Sequence, residues 1–264
     1  MIKIAIINLK GGVGKSVTAC NVALGIPHLM PDAKVLVVDL DKQANSTKFF
    51  ERHDDRLMDV GDVLLRPENV DKAIRHTKWS QVDILPASMA LLSANRQVQM
   101  DCTRRQQNRL ERALNMVSDR YDYCLMDCPP DIDMATINAL CAADEVIIPV
   151  DCDEWALDGL SEIVDQVQVI QEGLNPQLHL LGCLITMYTR TNDAVRTVED
   201  LVGTGLPVFK TAIRRSTAVR DAKRAHLPVF TYKPRSAPAG DYLALTRELL
   251  QAVSGVDTRR EDTV

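Results

Sequence analysis

The chain has 264 residues, 46% hydrophobic and 25% charged, with a formal net charge of -5. That is enough chain for one large α/β domain with a substantial core, and ordinary composition for a globular protein. The acidic balance excludes a protein that is basic throughout and binds nucleic acid with its whole surface; it leaves a local basic patch open.

Apolar, β-branched runs recur from the first residue. They predict strands at 2–7, 34–39, 82–86, 121–127, 145–150, 178–187 and 207–213. Most are continuous rather than alternating, which suits strands buried on both faces of a parallel sheet. Helical patterns fall between them, near 15–28, 104–118, 132–142, 156–171, 193–202, 216–225 and 238–253. Strand alternating with helix predicts a single doubly wound, mainly parallel sheet flanked by helices. One domain over 1–253 is expected, followed by a polar tail at 254–264. The start on a strand, with no charged n-region and apolar h-region, predicts no signal peptide. Seven cysteines without a C-x-x-C pair read as buried, reduced thiols; Cys124 and Cys128 lack the second close Cys/His pair that zinc would need.

The first strand runs into "NLKGGVGKSVT", Asn8 to Thr18. Strand, glycine-rich turn and helix form the setting of a phosphate-binding loop. Gly11, Gly12, Val13 and Gly14 would bring backbone N–H groups to phosphate oxygens, Lys15 would pair with the β- and γ-phosphates, and Ser16 would ligate Mg²⁺. The strict pattern requires glycine at position 9, where this chain has Leu9, and it has an additional cation at Lys10.

"KGGVGKS" resembles the deviant Walker A signature of the ParA/Soj/MinD family of P-loop ATPases. The resemblance implies that Lys10 reaches across an ATP-sandwiched homodimer to phosphates held by the other subunit. It extends over nearly the whole chain. "VLVVDLDKQANST" (35–47) is similar to the family's switch I, implying that Asp41 positions the attacking water at the Mg²⁺ site and that Asp39 supports it; Lys42 stands where proline is common. "YDYCLMDCPPDIDMATINALCAADEVIIPVDCDEWALDGL" (121–160) looks like the Walker B and switch II region, implying a Mg²⁺ role for Asp127. The C-terminal third resembles Soj-type partition proteins. The family's base-contacting Pro and Asn are replaced here by Arg214 and Ser216, and Val17 replaces a common threonine.

Charge is segregated. Residues 186–235 hold ten Lys/Arg against four Asp/Glu, while 121–189 hold thirteen Asp/Glu and no Lys or Arg. The basic cluster reads either as a phosphate-backbone contact or as helix-surface arginines paired with local acids. The acidic stretch, including Asp151, Asp153, Glu154 and Asp158, reads either as acids at a helix start or as a docking face for a basic peptide.

The resemblance implies slow, partner- and DNA-stimulated ATP hydrolysis. It also implies non-specific duplex-DNA binding by the dimer through Arg190 and Arg215, to which the basic cluster adds Arg220, Lys223 and Arg224 as candidate contacts. A ParB-like partner with a basic N-terminal segment would stimulate hydrolysis and release. The expected cofactors are ATP and Mg²⁺. The expected location is cytoplasmic, on the nucleoid when ATP is bound, with no stable membrane association. A MinD-like or other ParA-like ATPase that positions a protein complex or acts at a membrane is the alternative. The C-terminal "LTRELLQAVSGVDTRREDTV" lacks the basic amphipathic helix that a membrane reading requires.

Overall fold

The computed structural model describes residues 1–152 and 159–254. Seven strands form one sheet: β1 (Ile2–Ile6), β2 (Val35–Asp39), β3 (Arg75–His76), β4 (Val82–Leu85), β5 (Tyr123–Asp127), β6 (Glu145–Asp151) and β7 (His179–Thr186). Their order is β3-β4-β2-β5-β1-β6-β7. All pairings are parallel except the two-residue edge strand β3, which runs antiparallel to β4.

Twelve α-helices are described: α1 (Lys15–Leu29), α2 (Asn45–Phe49), α3 (Val60–Leu65), α4 (Val70–Ala73), α5 (Leu91–Met100), α6 (Arg109–Asn115), α7 (Met134–Ala142), α8 (Leu160–Gly173), α9 (Asn192–Gly203), α10 (Thr217–Arg224), α11 (Val229–Tyr232) and α12 (Ala237–Ser254). The continuous apolar runs explain the layering. Strand residues alternate between faces, and both faces are covered. Ile4, Ile6, Val35, Val37 and Leu125 point to the core under α1, α10 and α12. Ala5, Ile7, Leu36, Val38 and Met126 point to the core under α3, α5, α6 and α7. α1 and α12 lie so close that a Cβ added at Gly25 would sit 2.5 Å from Thr246 Oγ1.

The predicted doubly wound sheet is the observed fold. The expected strand at 207–213 is not a strand. That run lies beside β7 through two isolated bridges, Cys183 to Val208 and Tyr188 to Arg214, because Glu248 and Asp241 of α12 accept the N–H groups of Lys210, Thr211 and Arg214. Side-chain acceptors there replace a ladder. The helical pattern at 104–118 contracts to Arg109–Asn115. The short α2 to α5, the edge strand β3 and α11 are additions to the predicted elements. Residues 156–158 of the predicted 156–171 helix, and all but the first residue of the 254–264 tail, lie outside the described residues. Among the described residues no helix is long and apolar enough to cross a membrane.

The topology fixes where a site can form. β1 lies between β5 and β6, and β5 separates it from β2. The carboxyl ends of β1, β2 and β5 therefore open onto one crevice, the place where open α/β sheets bind ligands.

Candidate nucleotide site

The β1–α1 loop is built from backbone. Gly12 and Gly14 have φ of 85° and 90°, the left-handed region that a side chain strains. A Cβ at Gly11 would meet nothing within 4 Å, so local packing does not require glycine there. Asn8 closes the loop from inside: its Nδ2 donates to Pro149 O at 2.7 Å, and its Oδ1 accepts the Lys10 N–H at 2.8 Å. Thr186 Oγ1 donates to Val13 O at 2.9 Å, tying the loop to the end of β7. α1 starts at Lys15, and its first turn of N–H groups, left without intrahelical partners, faces the loop.

Lys15 is buried, and its Nζ donates to Asn8 O at 2.8 Å and Lys10 O at 3.0 Å. Burial pulls its pKa down, while the charges of Asp127 and Asp41 pull it back up. Lys10 is half-buried, with its backbone N–H and carbonyl both engaged in the loop.

Three carboxylates gather at the ends of the neighbouring strands. Register sets Asp39 of β2 opposite Asp127 of β5, and Ile6 of β1 opposite Asp127. Asp39 and Asp127 are fully buried, and Asp41 nearly so. Asp39 Oδ2 accepts both the N–H and the hydroxyl of Thr47, at 2.8 and 2.7 Å, and Oδ1 accepts the Asp41 N–H at 3.1 Å. Thr47 Oγ1 in turn accepts the Ala87 N–H at 2.9 Å. Asp127 Oδ2 accepts the Ser46 hydroxyl at 2.7 Å, and the Ser16 hydroxyl also bonds this carboxylate. Asp127 Oδ1 is buried and has no hydrogen-bond partner among the described residues. Burial drives the pKa of Asp39 and Asp127 upward; donors from Thr47, Ser16 and Ser46 oppose the shift. Asp41 Oδ1 accepts the Gln43 N–H at 2.9 Å, in the turn that leads to α2.

A cleft of about 300 Å³ continues from Gly14 and Val17 to Met187, Ile213 and Tyr242. Arg214 and Ser216 are among the residues that line it. The Arg214 guanidinium is already committed: Nε donates to Asp241 Oδ2 at 2.9 Å, and Nη2 donates to Asp241 Oδ1 at 2.5 Å. Ser216 caps α10, its hydroxyl accepting the Ala218 N–H at 3.2 Å.

The five expected DNA-contacting cations divide. Arg215, Arg220 and Lys223 line the cleft. Lys223 Nζ reaches Asn45 Oδ1 at 3.4 Å, and Arg220 lies 3.5 Å from Asp221. Arg190, in the β7–α9 connection, and Arg224, at the end of α10, are exposed and do not line it. Asp153, Glu154 and Asp158 of the acidic stretch lie outside the described residues, whereas Asp151 ends β6 with a buried Oδ1 that has no partner among the described residues. Sequence reasoning missed Ser46, Thr186 and Asp241. Ser46 stands inside the quoted 35–47 segment and Thr186 inside the expected strand at 178–187; no signal marks Asp241. Among the described residues no group of three His, Cys, Asp or Glu side chains could hold a metal alone, and all cysteines are free thiols.

Comparison with known proteins agrees with this geometry. A family model described as an AAA domain matches residues 1–180. The sporulation initiation inhibitor protein Soj of Bacillus subtilis is 37% identical over 250 residues, 93% of this chain and 97% of Soj. The chromosome partitioning protein ParA of Myxococcus xanthus is 33% identical over 260 residues, 97% of this chain and 90% of that protein. A Mycobacterium smegmatis structure, described as cobyrinic acid a,c-diamide synthase with bound ATP analog and magnesium, aligns with a TM-score of 0.83 at 28% identity, over 97% of each chain. The cell division ATPase MinD of Pyrococcus furiosus shares the fold, with a TM-score of 0.77 at 23% identity over 95% of this chain and 98% of MinD. Its glycine-built loop with a second lysine, its strand-end carboxylates and its near full-length likeness to Soj and ParA make this chain a member of the ParA/Soj family of P-loop ATPases.

Proposed function

We propose that this protein is a DNA-partitioning ATPase of the ParA/Soj kind: an ATP-dependent homodimer that coats duplex DNA without reading sequence and is released when a ParB-like partner stimulates hydrolysis. The observation that carries the ATPase part is the meeting of Lys15, Ser16, Asp41 and Asp127 at one strand-end crevice.

The residues fit Mg²⁺ with ATP. The buried, unpartnered Asp127 Oδ1 lies on a carboxylate already bonded to Ser16, and Mg²⁺ commonly takes one or two protein oxygens together with substrate phosphates. When bound, the ion supplies charge neutralisation to the phosphoryl oxygens. The chain's own residues do the positioning. Gly12 and Gly14 free the loop to turn its N–H groups inward, and Lys15 exchanges its loop carbonyls for phosphate oxygens. Asp41, held by the turn to Gln43, orients water. The cleft beyond Val17 takes the nucleoside. Lys10, supplied across the dimer, adds a second cation and makes turnover depend on the partner subunit. The exposed Arg190 and Arg224, with Arg215 at the cleft mouth, form the duplex contact.

The test is binding to random-sequence duplex DNA with ATP, with ADP and without nucleotide, at two salt concentrations. ATP-dependent, salt-sensitive binding that is lost in Lys10→Ala and in Arg215→Glu supports the reading. Nucleotide binding without DNA binding in any state removes the partition part and leaves the ATPase part.

A further inference from the structure

A second concave site lies on the other face of the sheet, where the α3–α4 connection meets the segment that leads into α6. It encloses about 240 Å³, floored by Leu65 and Pro67 and walled by arginines. Its anchor is Arg109, which is only 3% exposed. Each part of that guanidinium is used: Nη1 donates to Leu64 O at 3.2 Å, Nε to Arg105 O at 3.3 Å, and Nη2 to Asp101 Oδ2 at 2.6 Å. Asp101 is consumed as well, since its other oxygen accepts the N–H and the hydroxyl of Thr103 at 2.9 and 2.6 Å.

Arg109 thus holds Arg105 by its carbonyl and keeps Arg112, one turn along α6, on the same side. Arg104, Arg105 and Arg112 are exposed and line the hollow; among the described residues their guanidinium groups form no hydrogen bond or ion pair. The one carboxylate in the lining, Glu68, forms no ion pair with them. Some arginines elsewhere on the surface find partners, as Arg56 does in Asp54, Arg120 in Asp71 and Arg214 in Asp241, and others such as Arg96 and Arg196 do not among the described residues; what marks this group is that three of them line one hollow. With Arg109 paired to Asp101, three guanidinium groups here face one carboxylate, on a chain whose net charge is -5.

We propose that this hollow binds a small anion carrying two or more phosphoryl groups. Guanidinium forks match phosphoryl oxygens in pairs, and balancing the lining takes more than one negative charge. The volume is below the roughly 300 Å³ at which pockets begin to enclose drug-sized ligands, so the hollow suits a phosphate tail and not a whole nucleotide. A duplex spreads its charges along an extended axis, and a closed hollow of this size engages it poorly.

The experiment is calorimetric titration of inorganic pyrophosphate, and separately tripolyphosphate, into full-length protein saturated with Mg-ADP so that the P-loop is filled. Saturable binding at one site per chain is expected. Arg104→Gln/Arg105→Gln/Arg112→Gln should weaken it by about tenfold or more, because three charge-assisted contacts are removed from exposed positions that carry no packing. Arg190→Gln/Arg215→Gln should leave it unchanged, and unfolding curves check that both variants are folded. Equal affinity in the triple variant and the parent overturns the proposal. So does absence of polyphosphate binding in the parent together with loss of duplex-DNA binding in the triple variant, which reassigns the arginines to DNA.

Discussion

The two ends of the nucleotide cleft are made differently. The phosphate end is backbone: two glycines with positive φ, a helix start and a buried lysine held on loop carbonyls, faced by carboxylates at strand ends. The base end is side chains drawn from distant segments, with Met187 after β7, Arg214 on the run beside it and Tyr242 on α12. Backbone geometry and strand register leave few residue choices at the first end. At the second, many packings close a hollow of the same size, so sequence is free to vary.

The largest expected effect breaks the phosphate end. Lys15→Ala removes the cation and leaves the Asn8 and Lys10 carbonyls without their donor. ATP turnover should fall by about 100-fold or more, on the scale of deleting one preorganised charge-stabilising donor. Phosphate release measured with DNA and excess ATP checks it. Turnover within a few-fold of the parent would show that Lys15 stays on the loop throughout.

A second break tests the carboxylate wall. Thr47→Val removes the hydroxyl that donates to Asp39 and accepts from Ala87, while keeping the side-chain shape. Asp39 is fully buried and the Ala87 N–H loses its acceptor, so the protein should be destabilised by about 2 kcal/mol, within the range for leaving a buried polar group unsatisfied. Lys48→Ala, one residue away and exposed, should change stability by less than about 0.5 kcal/mol. Urea unfolding of the two variants without nucleotide decides it; equal midpoints sink the argument.

The same contrast governs what the sequence discloses. The loop, Asp127 and the all-buried strands are legible because each follows from local order: glycine where φ is positive, acid at a strand end, β-branched runs where both faces are covered. Asp241 is not legible. It lies 27 residues from Arg214, within a helix whose pattern reads as packing, and only the fold of α12 against the 207–214 run brings them together. The strand expected at 207–213 fails for that reason, since carboxylates on α12 take N–H groups that a ladder would use. The short α2, α3 and α4 are not legible because four to six residues hold too few turns for a period. Arg220 and Lys223 read as an outer patch because helical spacing alone does not tell which side of α10 meets the cleft.

The base end should break more gently. Arg214→Gln removes the ion pair with Asp241 but keeps the backbone N–H that also serves this carboxylate. The Arg214 side chain is 46% exposed, so solvent screening holds the stability loss to about 1 kcal/mol. ATP affinity should fall by only about threefold, since a rim contact outside the phosphate site is altered. Competition between ATP and GTP is the sharper readout. A change in their ratio makes Arg214 a determinant of base choice; an unchanged ratio makes the pair with Asp241 a structural clamp.

The smallest expected effect on nucleotide binding separates cations that line the cleft from those that do not. Arg220 lines the cleft beside Val219 and Lys223, whereas Arg190 lies outside it. Arg220→Gln should weaken ATP binding by about twofold, a single exposed charge acting at a distance on phosphates. Arg190→Gln should leave ATP binding unaltered. Each variant that removes a real duplex contact should lower the slope of log affinity against log salt by about 1. If Arg190→Gln lowers the slope and Arg220→Gln does not, the basic cluster serves two ligands, with α10 turned toward nucleotide and the β7–α9 connection toward DNA. If both lower it equally with no change in ATP affinity, Arg220 swings out of the cleft when DNA binds, and the division of the cluster belongs to the DNA-free state alone.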